Sequence, residues 1–407
     1  MDTNELKSNV LDWFKELKFM QYIYLVIFTG IVMKYYLQST TFEYEFSNVL
    51  YSVLRYALIG YIVANAVIVI VRKEYDSWLE LVIMVMIIAC SAAVAYTIHY
   101  DGLLDFALLL VGAKNIHWKK IAYMYLCVAV IIQILAYYAS SIGIIADITL
   151  DVGKGVRHSL GINYPTDAAS HFLFIMLVYA TLREHKLTFI EIALMGIVSY
   201  WVYTKTLGRS NFICAIIMCG LLLLVKILYI FNIQLSRYKL LKVGGILMFL
   251  MVVGCIIGVT FYEPSSAIYQ KLDGWLTGRI ALSYKGLAQY GITAFGSVVE
   301  ENHAVLGYYF FLDNSFIRIA ISYGWVFLSL ITYLYVLCFS KAVEYKKDIM
   351  IVALLVMLLA GIMEHHLVDI AYNPIWLMLF SCLGFEGVKG KGRGMNKARR
   401  TTGRGQD

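Results

Sequence analysis

The chain reads as an all-α polytopic membrane protein of about twelve transmembrane helices, with both termini cytoplasmic and one large external loop. Three observations lead there. Of its 407 residues, 61% are hydrophobic and only 15% charged. Apolar runs of about twenty residues, the length a helix needs to cross a bilayer core, recur from end to end. Lysines and arginines collect in alternate connections, as they do where cations are retained on the cytoplasmic side. This composition leaves no room for a soluble catalytic domain, so any chemistry belongs to the bundle and its loops.

The first eighteen residues are polar, and no small-residue cleavage site follows the first apolar run, which predicts an uncleaved start. Leu6, Val10, Trp13, Phe14 and Leu17 recur at helical spacing between Lys7, Lys15 and Lys18. Residues 1–18 are therefore expected to form a short amphipathic helix in the cytoplasmic interface, with a frayed tail as the alternative. A multi-span membrane domain is predicted over 19–388. Its first six spans fall at 19–37, 49–71, 78–97, 100–113, 121–145 and 167–182. Six more are expected at 188–204, 211–229, 243–262, 314–339, 348–368 and 371–387. The fourth is short, tilted or re-entrant, because Asp101 and Asp105 occupy its first turns.

With twelve spans, 24 of the 34 basic residues fall on the cytoplasmic side. The Gly-rich basic stretch 389–407 is expected to be a disordered cytoplasmic tail against anionic lipid headgroups, not a nucleic-acid site. The seven cysteines lie within predicted spans and suggest neither a disulfide framework nor a metal site. Pro165, Pro264 and Pro374 fall at predicted outer span ends, which makes the outer face the irregular one. No internal repeat is visible.

The ten cations left outside or near outer helix ends are Lys34, Arg55, Lys154, Arg157, Lys205, Arg209, Lys271, Arg279, Lys285 and Arg318. Membrane arginines persist where they snorkel, pair or bind an anion. In the short turn Leu207-Gly208-Arg209-Ser210-Asn211, Ser210 or Asn211 is placed to cap the eighth helix, and Arg209 offers a planar fork to a phosphate. In the loop before the sixth span, Arg157 suits an anion; His158 or Asp167 suits a proton, and Asp167 equally suits a helix cap.

The external loop, 263–313, carries Arg279, Glu300, Glu301, His303 and a run of aromatic residues that includes Tyr308 and Tyr309. Arginines suit a phosphate leaving group, carboxylates suit removal of a hydroxyl proton, and aromatic faces suit sugar rings. Asp313 reads either as a base or as the cap of the tenth span, on which Asn314 and Arg318 share a face. Glu364-His365-His366 with Asp369 resembles a ligand set, His365 and Asp369 being four apart on an expected helix, but reads better as a polar cavity lining than as a metal site.

Gly278-Arg279-Ile280-Ala281-Leu282 opening the external loop, and Leu312-Asp313-Asn314-Ser315-Phe316 followed by Ser322-Tyr323-Gly324, resemble the Wzy-type repeat-unit polymerases of bacterial capsules and O-antigens. Gly208-Arg209-Ser210, Ser159-Leu160-Gly161 and Tyr164-Pro165 fit the same pattern, and the topology matches to about residue 388. The related O-antigen ligases carry a His before the Asn that ends the loop and a Gly ten residues after it. Asn314 and Gly324 keep that spacing, while Asp313 replaces the His, which favours a polymerase and leaves the base open.

The resemblance implies a C-type, polyprenyl-dependent glycosyltransferase in the bacterial plasma membrane, with its cavity facing outside and no metal or other cofactor. Undecaprenyl-pyrophosphate-linked oligosaccharides would be donor and acceptor, membrane lipids the surroundings, and a flippase and a chain-length regulator partners. Arg209 and Arg279, backed by Arg157 and Arg318, would contact pyrophosphate. Asp313, then His303, would take a proton; Asn314, Tyr308, Tyr309, Glu364 and His365 would contact glycan. An O-antigen ligase-like transferase and a lipid-linked oligosaccharide flippase are the alternatives. A transporter would be expected to show repeated halves and interrupted helices at the midplane, whereas here the polar groups crowd the outer third.

Overall fold

The computed structural model describes residues 3–43, 48–71, 77–151, 153, 155–237, 244–303 and 309–384; the side chains of 3–17, 48, 69, 302 and 303 lie outside that description. The tail expected over 389–407 and the apolar face expected over 1–18 fall outside it as well. Among the described residues, six helices are long and apolar enough to cross a membrane, within Lys18–Gln38, Val49–Ile68, Trp78–Ile98, Trp118–Ser141, Arg209–Ile230 and Ser315–Glu344. With further shorter apolar helices and little strand, this is the architecture of a polytopic α-helical membrane protein.

Helix α1, Thr3–Gln38, continues without a break from the N-terminal segment into the first apolar run. It is followed by α2, Asn48–Val71; α3, Trp78–Ile98; α4, Gly102–Gly112; and α5, Trp118–Ser141. Local chemistry sets these ends: Ser77 accepts from Glu80 N at the start of α3, and His99 adopts a left-handed conformation at its close. After a small hairpin of β1, Thr149–Asp151, and β2, Val156–His158, come α6, Pro165–Arg183; α7, Phe189–Thr206; and α8, Arg209–Ile230. Pro165 occupies the first turn of α6, and Thr188 with Glu191 forms a reciprocal capping box on α7.

Helix α9, Ile246–Thr260, leads to the segment expected to be external, which contains α10, Ala267–Trp275, and α11, Arg279–Tyr290. A minimal hairpin of β3, Asn302–His303, and β4, Tyr309–Phe310, closes it. The next apolar run is not one regular helix: α12, Ser315–Arg318, passes through a π turn at Ile319–Tyr323 into α13, Gly324–Glu344. The loop before the hairpin clamps that turn, with Ser297 N donating to Ile321 O (3.1 Å) and Trp325 N to Thr293 O (3.0 Å). Gly296 and Gly324, both at positive φ, make the approach possible, since a Cβ on Gly324 would stand 2.3 Å from Ala294 O.

Burial sorts the helices. Helix α14, Asp348–Met363, and α4 are apolar on all sides and almost wholly buried, whereas α2 presents most of its apolar surface outward. At about 1.5 Å per residue α4 is only roughly 16 Å long; Asp105 is buried in its first turn, and Lys114 just beyond its last binds Glu80 at 2.5 Å. The core gathers Tyr24, Phe28, Phe106, Trp118, Tyr335 and Trp376.

Among the described residues of the expected twelfth span, 371–384, there is no α-helix. Residues 364–384 form a buried irregular run with 3-10 turns at His366–Val368 and Pro374–Leu379. Six 3-10 residues reach only about 12 Å, and the carbonyls left free are met by neighbours instead. Tyr125 Oη donates to Ala371 O and Tyr372 O, Asn373 Nδ2 and Trp376 Nε1 donate to Leu367 O, and Lys341 Nζ donates to Leu379 O and Ser381 O. Pro374, which cannot donate, is the first residue of the second 3-10 turn, where its missing N–H leaves no bond unmade. Cys382 accordingly lies exposed beside His117 and outside any span.

The run ends at one pole of the bundle, where His117 contacts Gly384 O (2.6 Å) and Lys347 and Lys119 bind Glu184. This is the basic end. Glu364, where the run begins, belongs to the opposite pole.

Candidate functional site

Five chain segments meet at the pole opposite the basic end, and an arginine held between two acids is their centre. Gly278, at φ +84°, turns the chain so that Arg279 becomes the first residue of α11. The segment folds back through β4 and delivers Asp313, while α14 stops at Met363 and leaves Glu364 extended. Arg279 Nε lies 3.2 Å from Asp313 Oδ2 and its Nη2 lies 3.4 Å from Glu364 Oε1, with 11%, 12% and 3% of the three side chains exposed. One cation between two buried carboxylates leaves a surplus negative charge in a poorly solvated place.

Donors from α8 partly offset it. Ser210 Oγ and Asn211 Nδ2 reach Glu364 Oε1 at 2.7 and 3.1 Å, and Ser315 Oγ donates to the Glu364 carbonyl. Glu364 Oε2 is buried and receives no protein hydrogen bond. Burial pushes the Asp313 carboxyl above the ordinary carboxylate range, against the opposing pull of Arg279. Burial alone would lower the Arg279 guanidinium, but Glu364 and Asp313 outweigh it and raise it, so it stays a cation. The Tyr309 hydroxyl is raised by burial and by Asp313, which keeps it a neutral donor.

Several expected caps prove to be something else. Gly208, not Ser210 or Asn211, is the N-cap of α8, which frees both side chains to face Glu364. Asp167 does not cap α6, whose N-cap is Tyr164; its Oδ1 lies 3.3 Å from His366 Nε2. Asp313 is not the cap of α12 either. Asn314 is, its Oδ1 accepting from Phe316 N and Ile317 N, so the amide expected to meet glycan is engaged in the fold. Because α14 ends at Met363, His365 and Asp369 share no helical face.

The arginines divide into two kinds. Arg318 forms a two-pronged pair with Glu301 (2.8 and 2.6 Å) and its charge is committed. Arg157 donates to Thr206 O (2.8 Å), with its guanidinium 5.9 Å from the Tyr164 ring; Arg209 is exposed. Neither has a carboxylate partner among the described residues. His365 meets Phe311 edge-on (4.9 Å) and His366 at 3.8 Å between ring centres. Tyr309 is opposite His303 in the hairpin; the His303 side chain and all of Tyr308 lie outside the described residues.

Asp167, His365 and His366 bring one ligand atom each within 4.8 Å of one another and form the group best able to hold a divalent ion. The contact between Asp167 and His366 is equally that of an ordinary hydrogen-bonded pair.

No protein family, curated protein or solved structure matches this chain. The geometry of the site therefore stands on its own chemistry. Sequence reasoning found Arg279, Asp313 and Glu364 separately but not together, and it missed Ser210 and Asn211 as donors to Glu364 and Glu301 as the partner of Arg318. The excess of acids and arginines over one expected outer face was the available signal.

Proposed function

We propose that this protein joins lipid-linked oligosaccharides by glycosyl transfer, extending a surface polysaccharide with a polyprenyl pyrophosphate as leaving group. The observation that carries the reading is Arg279 held between Asp313 and Glu364, at the pole away from the basic end and with Arg157 and Arg209 lacking acidic partners among the described residues. A pyrophosphate needs cations whose charge is available, and a sugar hydroxyl needs an acceptor for its proton; this pole has both.

In the proposed step, a hydroxyl oxygen of one repeat unit forms a bond to the anomeric carbon of a second, lipid-linked glycan. The bond from that carbon to the pyrophosphate oxygen breaks, and the pyrophosphate leaves with the electron pair. Attack from the opposite face gives inversion. The hydroxyl proton passes to Asp313. Arg209 and Arg157 meet the departing pyrophosphate, and Arg279 fixes Asp313 and adds its charge as the leaving group develops. Undecaprenyl pyrophosphate is the carrier we assign, and a flippase and a chain-length regulator are the partners.

The same reading orients the bundle. Eleven helical crossings and the irregular run 364–384 make twelve, with the basic end cytoplasmic and the Arg279 pole outside the bacterial plasma membrane.

The test is complementation of a polymerase-null strain with Arg209→Ala and Arg279→Ala. The expected outcome is single repeat units in place of a surface glycan ladder at unchanged membrane levels. Full ladders from both variants, or movement of lipid-linked units across a bilayer by wild-type protein without extension, would overturn the proposal.

A further inference from the structure

We propose that a second cavity at the site pole, between the start of α4 and residues 297–301, binds an uncharged sugar of the lipid-linked glycan. The inference rests on the glycosyl-transfer reading for its ligand, though not for its geometry. The cavity has a volume of about 320 Å³, within the roughly 300–1,000 Å³ usual for small-molecule sites. Tyr35, Tyr100 and Tyr323 line it together with Glu301, Arg318 and Asp369. His365 also lines it and touches Phe311, whose ring stands 5.0 Å from the Arg318 guanidinium; Asp313 follows Phe311 by two residues. Chain adjacency ties the cavity to the Arg279 site, since His365 follows Glu364 and Phe311 precedes Asp313 by two residues.

Its charges argue for a sugar over a pyrophosphate. Arg318, the one arginine in the lining, is spent on Glu301 through two hydrogen bonds, and Asp369 has His366 Nδ1 at 3.8 Å. An anion would find no uncommitted arginine in the lining and two carboxylates, Glu301 and Asp369, beside it. The three phenol rings offer what a neutral polyhydroxylated ring uses, apolar faces to stack on.

The walls are also held in place. Tyr35 Oη donates to the wholly buried Asp105 at 2.5 Å, and Arg55 Nε holds the other oxygen of that carboxylate at 2.8 Å. The Tyr35 ring has the Lys34 ammonium 4.0 Å from its centre. On the other side the Tyr100 ring lies across Gly102, where a Cβ would stand 2.4 Å from it. This gives two ways to disturb one wall: remove the ring, or push it aside from beneath.

The test uses full-length protein in nanodiscs and, as probe, the oligosaccharide released by mild acid from the lipid-linked pool of the producing cells. Binding is read by saturation-transfer NMR with titration. Wild type is expected to bind the oligosaccharide, and millimolar inorganic pyrophosphate is expected not to displace it. Tyr100→Ala and Gly102→Val are each expected to weaken binding about fivefold or more, the scale of one lost ring stack. Gly220→Ala, in open space on α8, is expected to bind as wild type does. Absence of oligosaccharide binding to wild type, displacement by pyrophosphate, or unchanged affinity in both wall variants would overturn the inference. Failure of the transfer reading shows separately, as a normal glycan ladder from the Arg279 variants, and leaves this binding measurement untouched.

Discussion

Replacing Arg279 by methionine keeps the aliphatic stem but leaves Asp313 and Glu364 facing each other, 12% and 3% exposed, with no cation between them. Removing one partner from a buried ionic cluster costs about 3–5 kcal/mol, because the remaining charge is left without compensation. Glu364→Gln should behave differently. A glutamine Oε1 still accepts from Ser210 and Asn211, and Arg279 with Asp313 remains a balanced pair, so we expect a change of no more than about 1 kcal/mol. In Arg279→Met combined with Glu364→Gln, a lone Asp313 can protonate, and the double variant should recover at least about 1.5 kcal/mol of the methionine defect. The assay is equilibrium unfolding in mixed micelles, run as a double-mutant cycle. The methionine defect should also depend on pH. Without Arg279 the folded-state carboxyls titrate above their unfolded values, so the folded form binds more protons, and stability falls as pH rises through that window and recovers as pH falls. Additivity of the two substitutions within about 0.5 kcal/mol, or a defect that does not vary with pH, would refute the three-charge account.

Two more outcomes are expected. If Asp313 takes the proton, elongation by wild type should fall on acidification with a midpoint above the ~4 of an exposed carboxyl, because burial raises this one. Asp313→Asn should lose that limb and elongate about 10²–10⁴-fold more slowly in membrane vesicles; an unchanged acid limb would reject Asp313 as the base. Gly324→Ala should cost about 3 kcal/mol or more, since φ is +85° and the new Cβ would overlap Ala294 O, whereas Gly220→Ala in open space should be neutral or slightly stabilising. Fluorescence-detected size exclusion of the two variants checks this, and equal recovery would show that the clamp between residues 293–297 and the π turn contributes little.

The sequence by itself determined the membrane class, the approximate place of most helices and which face would gather polar groups. Each of these follows from partition: an apolar run of sufficient length reads as a span wherever it packs, and cations sort between the two faces by the same rule. It did not determine the run 364–384. That run is largely apolar, and donors from its own Asn373 and Trp376 and from the neighbouring Tyr125 and Lys341 allow its backbone to remain irregular while buried. Nor could it choose among neighbouring polar residues at a helix start. Asn314 caps where the sequence points to Asp313, and Ser210 and Asn211 turn to a carboxylate about 150 residues away instead of to their own helix. Arg279 and Arg318 look alike in the sequence. Their surroundings differ, for one lies between two acids that share it and the other is matched one-to-one by Glu301. Pairing energy depends on distance and solvation, and both are set by which helices pack together.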